Sequence, residues 1–218
     1  YVVRREDVPS GHAVIQVDAA GQNCILLCGG ANRTITPAQV DETLTHFAAG
    51  DLLVLQNEIS QLAYIIARGR EKGMVIALNP SPMDAEIAAL PLEAVDIFLL
   101  NEGEAADLCG GQGSLEELAR RFPKAGIVLT LGEKGALYRQ GDRTFSHGIY
   151  RVPVVDTTAA GDTFTGYFLA ALTRGCGAEE ALDQASAAAA LAVSRPGAGA
   201  SIPTLAEVLA SHLPPETR

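Results

Sequence analysis

Apolar residues along this chain follow two patterns, short continuous runs and longer stretches spaced every three or four residues. The runs at 12–17 (H-A-V-I-Q-V) and 23–28 (N-C-I-L-L-C) are joined by D-A-A-G-Q, a glycine-bearing connection of hairpin length, and predict a β-hairpin. From Pro37 onward helical and strand patterns alternate. A helix is predicted over 37–48, with Thr36 as N-cap and proline at its first position, then a strand over 51–56, a helix over 60–72 and a strand over 74–78. A strand at 95–100, a short helix from Glu102, a helix at 114–122 and a strand at 127–131 extend the series. A second hairpin, 136–139 with 144–147 around Q-G-D-R, leads into a β-branched strand at 150–155. Two helices complete the pattern, 160–174 closed by Gly175 and an alanine-rich 178–194 stopped by Pro196-Gly197.

Strands that stay apolar along their whole length imply a parallel sheet covered by helices on both faces, so the fold class is α/β, three-layered and Rossmann-like with a mostly parallel sheet. Right-handed crossovers then align the strand C-terminal ends along one rim, where open α/β sheets bind ligands. The residues just beyond the strands form a polar series: Asn57-Glu58, Asn79-Pro80, Asn101 with Glu104, and Thr130-Leu131-Gly132. Polar residues normally end strands, so each is weak alone. Together with the two aspartates at 156 and 162 they carry more weight.

Composition narrows the partners. A hydrophobic content of 48% over 218 residues is enough for one main core. A formal charge of −10 without any Lys/Arg run argues against nucleic acid and anionic membrane, and leaves any anionic ligand to be held by local amides and metal ions. Cys24, Cys28, Cys109 and Cys176 form no C-x-x-C pair and no His-containing metal cluster, which points to reduced thiols and a cytoplasmic location; Cys24 and Cys28, on one side of a strand, read as small buried hydrophobes. No run reaches transmembrane length and no secretory leader is recognisable. The chain opens at Tyr1 without an initiator Met or any earlier phosphate loop, and a missing N-terminal part is expected.

The chemistry concentrates in D-T-T-A-A-G-D-T-F, residues 156–164. A helix beginning at Ala160 carries Phe164, Phe168, Ala171 and Leu172 on one face. Its first turn directs unpaired N–H groups and the positive end of the helix dipole over Ala159, Ala160 and Gly161, small residues that allow a phosphate close to the backbone. Asp162 lies beside that anion position, an odd place for a carboxylate unless it handles a proton. The plainer alternative makes Asp156 or Asp162 a capping residue only.

This stretch resembles the signature D-T-x-[GA]-A-G-D-x-F of the ribokinase-like carbohydrate kinases, also called the phosphofructokinase B family, with Ala159 where many members have Gly. Asn101-Glu102-Gly103-Glu104 resembles the family's N-x-x-E, Thr130 to Gly135 its T-L-G-x-x-G, Asn79-Pro80 its N-P, Gly29 to Asn32 its G-A-N, and Arg195 to Ser201 its R-x-G-A-x-x-S. The resemblance implies Asp162 as general base, with Ala159, Ala160 and Gly161 in the catalytic turn. It implies an ATP site at Asn101, Thr130, Gly132, Gly135, Gly161 and Ser186, sugar contacts from Glu58 and Asp162, and Mg²⁺ organised by Glu104 through water. A K⁺ site would draw on Asp156, Thr158, Val193, Pro196, Gly199 and Ser201. Lys134 invites a phosphate role but reads more simply as a solvated turn lysine.

The first hairpin then corresponds to a small β lid, residues 10–30, with 1–9 and 31–218 forming an incomplete kinase core. The activity implied is ATP-dependent phosphorylation of D-ribose to D-ribose 5-phosphate, in a homodimer paired through the lid. A kinase for another sugar or nucleoside, or a truncated nucleotide-binding module without catalysis, are the alternatives, because family members carry a G-G pair and an Asp that grip the sugar before the point where Tyr1 stands.

Overall fold

The computed structural model describes residues 1–17 and 23–214, so the hairpin connection expected at 18–22 lies outside the described residues. It contains two compact units, Tyr1–Asp96 and Ile97–Arg218.

In the first unit β1 (His12–Val17) and β2 (Asn23–Cys28) form the expected antiparallel hairpin, His12 opposite Cys28 and Val14 opposite Leu26. A two-stranded ribbon has no covering layer, and Val14, Leu26 and Leu27 are half exposed or more. Cys28 is exposed as well, which corrects the expectation that it is buried; the Cys24 side chain is outside the described residues. Helix α1 (Pro37–Leu44) starts as expected, with the Thr36 hydroxyl accepting from Gln39 N at 3.3 Å. It ends four residues before position 48: the Thr45 hydroxyl donates to Glu42 O, and Ala48 N donates to Asp51 Oδ2 at 2.7 Å. β3 (Leu52–Gln56) and β4 (Val75–Asn79) pair in parallel, Leu52 opposite Val75, joined by α2 (Leu62–Glu71), whose Leu62, Ile65 and Ile66 are buried.

The second unit orders its strands β5 (Ile97–Asn101), β6 (Gly126–Thr130), β7 (Ala136–Gln140) and β8 (Arg143–His147), with β5 and β6 parallel and the rest antiparallel. Its helices are α3 (Glu102–Cys109), α4 (Leu115–Arg121), α5 (Ala160–Thr173), α6 (Ala178–Val193) and α7 (Leu205–Ala210). Cross-strand partners share a face, and this locates the layers. Phe98, paired with Ile127, packs at a tilt against Phe122 at the end of α4, whereas Tyr138, paired with Val128, meets Phe168 of α5 edge-on at 5.0 Å. Helices therefore cover both faces, and β3 to β8 carry a mixed α/β architecture of the expected class.

One expected strand is absent. Residues 150–155 have no ladder beyond a single bridge at Tyr150, and Val154 and Val155 are 66% and 59% exposed. Pro153 has no N–H to donate, and the next donors go elsewhere: Val155 N and Asp156 N both bond to Val193 O, at 2.8 and 3.1 Å. The segment is an extended strap bound to the end of α6.

α5 and α6 form the closest helix pair in this unit. Ala181, Ala185, Ala188 and Ala192 of α6 have no exposed surface, at a helical spacing that puts them on one stripe. Alanine there lets the backbones approach, so Ala188→Leu overfills the seam. Urea unfolding should show a loss of about 1–3 kcal/mol for that variant.

Helix α7 is not among the expected elements, although Thr204 and Glu207 spell a capping box. Glu207 accepts from Thr204 N at 2.7 Å and from Arg195 at 2.8 Å, tying the 195–201 loop to α7. These hydrogen bonds, chiefly from Thr204 N–H and its hydroxyl and then from Arg195, pull the Glu207 carboxyl from an ordinary 4.5 down to about 2. A depressed folded-state value stabilises the fold above the unfolded value and loses that effect as pH falls through the folded one. The acid limb of a stability–pH profile should accordingly be shallower between about 4.5 and 2 in Glu207→Gln than in the parent chain.

Candidate active site

Two clusters of predicted site residues form in the second unit. At the rim, Asn101 and Thr130 are register partners at the C-terminal ends of parallel β5 and β6. Asn101 Oδ1 accepts from Glu104 N and Glu104 Oε2 accepts from Asn101 N, both at 2.9 Å. The N-x-x-E motif is thus a complete capping box for α3. That accounts for one polar atom of each side chain; Asn101 Nδ2 and Glu104 Oε1 take no partner among the described residues. Thr130 Oγ1 donates to Leu100 O at 3.3 Å, and Lys134 Nζ lies 3.5 Å from Glu102. Gly132 and Gly135 hold left-handed φ of 57° and 93°. For Gly135 glycine is obligatory, since a Cβ would stand 2.0 Å from His147 O; at Gly132 a Cβ would meet nothing within 4 Å.

The second cluster is the turn at 156–162. Asp156 Oδ1 accepts from Thr158 N at 2.9 Å and Oδ2 accepts from Gly197 N at 3.0 Å, so one carboxylate joins the turn to the loop after α6. Hydrogen bonds from Thr158 and Gly197 hold its carboxyl below the usual carboxylate range. Ala159 precedes α5 in a left-handed conformation, φ 60°. Such geometry disfavours any side chain with a Cβ, yet it turns the chain so that the first-turn amides face outward. Two of those amides are used, Ala160 N by Thr157 O at 3.3 Å and Thr163 N by Ala159 O at 2.9 Å.

Gly161 is the informative residue. It is exposed, its φ is not left-handed, and a Cβ would have nothing within 4 Å, so neither conformation nor packing requires glycine. Glycine inside a helix costs about 1 kcal/mol against alanine; at a helix start it also permits close approach of a ligand to the backbone, although exposed Gly166 farther along α5 is equally unconstrained. Asp162, next on the same turn, is exposed. Thr163 Oγ1 is buried without a hydrogen-bond partner, the sole such side-chain atom among the described residues. Buried Phe164 and Phe168 fix the helix beneath.

Of the residues expected around K⁺, Ser201 is fully buried and its hydroxyl donates to Ala198 O at 2.6 Å, while Pro196 and Gly199 lie in the same loop. Val193 O, also expected there, accepts from Val155 N at 2.8 Å and Asp156 N at 3.1 Å. Ser186 is buried in α6. Gly197, whose amide holds Asp156, is read in the sequence as a helix stop and as part of R-x-G-A and not as a site residue; its partner is 41 residues away.

Glu58 and Asn79 belong to the first unit. Glu58 is exposed, whereas its neighbour Asn57 is 2% exposed and donates at 2.8 Å to both Pro82 O and Asp84 Oδ2. Asn79 Oδ1 accepts from Ser81 N at 3.0 Å. Asn57 and Asn79 therefore shape the loop after β4. A cavity of about 670 Å³ beside it is lined by Arg33, Asn57, Gln61 and Asp84 among others, and Glu58 does not line it.

In chemical terms, the second unit offers an anion position over the first turn of α5, a carboxylate on that turn, and spare amide and carboxylate atoms on a neighbouring rim. Among the described residues no group of three His, Cys, Asp or Glu side chains could hold a metal directly, and no helix is long and apolar enough to cross a membrane.

Comparison with known proteins agrees with this arrangement. The family model described as pfkB family carbohydrate kinase matches residues 1–205. A ribokinase of Staphylococcus aureus is 36% identical over 218 residues, covering 95% of this chain and 71% of the relative. A ribokinase of Arabidopsis thaliana is 35% identical over 221 residues, covering 96% of this chain but only 58% of the relative. The solved structure of Arabidopsis ribokinase complexed with ribose and ATP superposes with a TM-score of 0.81 at 32% identity, over 93% of this chain and 69% of that one. The chain spans between about three fifths and seven tenths of the length of these relatives. With its signature turn, capping-box N-x-x-E and fold all in place, this chain belongs to the pfkB family of carbohydrate kinases.

Proposed function

We propose that the protein of which this chain is part phosphorylates D-ribose at its 5-hydroxyl with ATP, acting as a ribokinase. The observation that carries the proposal is the first turn of α5, where Gly161 is a glycine that neither backbone conformation nor packing requires and Asp162 sits one residue on. The choice of ribose rests on relatives, which include ribokinases at 36% and 35% identity and one solved with ribose and ATP.

In this reading the Gly161 amide and the dipole of α5 stabilise negative charge on the transferring phosphoryl group, and Asp162 accepts the proton of the attacking hydroxyl. Asn101, Thr130, Gly132, Gly135 and Ser186 bind the nucleotide, with Asn101 Nδ2 near its phosphates. Glu58 contacts the sugar. Mg²⁺ would neutralise phosphate charge, held through water by Glu104 Oε1, the oxygen that the α3 cap leaves over. That donor set suits an ion that keeps most of its waters and takes few carboxylates. K⁺ would be held by oxygens of Asp156, Thr158, Val193, Pro196, Gly199 and Ser201. Residues 10–30 act as a lid, whose exposed Val14, Leu26 and Leu27 are covered by the same hairpin of a second copy.

Steady-state kinetics on the full-length protein test the reading. ATP with a panel of pentoses, hexoses and nucleosides, with and without K⁺, should give the highest kcat/KM for D-ribose and a rise on adding K⁺. Asp162→Asn should lower kcat by roughly 10² to 10⁴ while nucleotide affinity changes little. Near-normal turnover in that variant removes Asp162 as base, and a preference for another sugar or a nucleoside removes ribose as the substrate.

A further inference from the structure

The strap at 150–155 runs from the segment beside Gly135 to the turn that opens with Asp156, and its anchoring is peculiar. At its start, Tyr150 OH donates to Asp183 Oδ1 of α6, and His147 Nε2 lies 3.2 Å from the same oxygen. The Tyr150 ring packs on the buried group of Ala187, Ala188 and Val208. At its end, Val155 N and Asp156 N bond to Val193 O at the last residue of α6. Gly135 of the rim abuts the first anchor, its missing Cβ leaving room for His147 O and Gly148. Asp156 of the anion turn is the second anchor.

Pro153 limits the freedom of the segment between the two anchors. No ladder of sheet hydrogen bonds fixes its register. Among the contacts that fix it are the backbone bridge at Tyr150, the Tyr150–Asp183 bond at one end and Val193 O at the other. Burial and Asp183 push the Tyr150 phenol up to about 12, so it stays a donor throughout the neutral range.

We infer that Tyr150 and Asp183 are positioning residues for phosphoryl transfer: by pinning the strap to α6 they set where Asp156, and through it the turn at 158–162, stands relative to the Gly132–Gly135 turn. The kinetic part of this inference rests on the proposed kinase activity; the mechanical part does not. Loss of the pin lets the strap slide along α6 without unfolding it. Turnover then falls because the turn bearing Gly161 and Asp162 is misplaced, whereas binding of a sugar held by other residues is little affected.

The test uses Tyr150→Phe, which keeps the ring packing, together with Asp183→Ala and Asp183→Asn in the full-length protein. Hydrogen exchange of the Val155, Asp156 and Gly197 amides should quicken about tenfold in Tyr150→Phe and Asp183→Ala, while amides of Ala185 to Ala190 in α6 keep their protection. Asp183→Asn retains an acceptor oxygen and should restore protection near the parent level. In the kinase assay the first two variants should lose about tenfold in kcat with KM for the sugar nearly unchanged. Unaltered exchange at those three amides, or quickening shared equally by α6, overturns the inference. A parent protein without kinase activity refutes the proposed function and leaves the exchange result to decide the mechanical part.

Discussion

The carboxylate of Asp156 is the interaction on which the rest of the site depends. Each of its oxygens accepts a backbone amide, Thr158 N on one side and Gly197 N on the other. The first bond shapes the turn that opens α5; the second ties that turn to the loop that leaves α6. A hydrogen bond to an ionised acceptor is about twice as strong as a neutral one, and Asp156 stays ionised well into acid because these donors favour its charged form. Without it, the left-handed Ala159 would have no compensation nearby. With it, the first turn of α5 is aimed at solvent, and an anion can approach Gly161.

The helix pair beneath the turn supplies the rigidity that such an arrangement needs. Phe164 and Phe168 anchor α5 against Tyr138 and its neighbours, and the alanine stripe of α6 brings the second helix close. The same α6 carries Asp183 at one point and Val193 ten residues on, so one rigid element holds both ends of the strap. Structural and chemical roles overlap in the N-x-x-E motif as well. Asn101 and Glu104 cap α3 with one side-chain atom each and leave a second without a partner among the described residues.

Much of this is legible in the residues, for reasons that vary along the chain. The two strands of the first hairpin have the limits their sequence predicts because short β-prone runs are local signals. Thr36 with Pro37 marks the start of α1, and Gly175, with φ 85°, the end of α5, because caps are local too. The strand expected at 150–155 fails because β-branched residues report a liking for extended backbone and not a partner; Pro153 and Val193 O decide the matter. Cys28 is exposed against expectation since two strands alone cannot bury a face. Helix α7 escapes the sequence reading despite its T-x-x-E, and Gly197 escapes it because its bond to Asp156 crosses 41 residues. Signature residues are easier to find than the scaffold that holds them.

In the proposed reaction the amides at the start of α5 receive the phosphates of a nucleotide. Backbone amide NMR of the full-length protein, titrated with a non-hydrolysable ATP analogue and Mg²⁺, tests it directly. The account expects the largest shifts at Gly161 and Asp162, with accompanying shifts at Asn101 and Gly132. Saturable binding that leaves Gly161 and Asp162 unmoved, and shifts residues elsewhere, would contradict it.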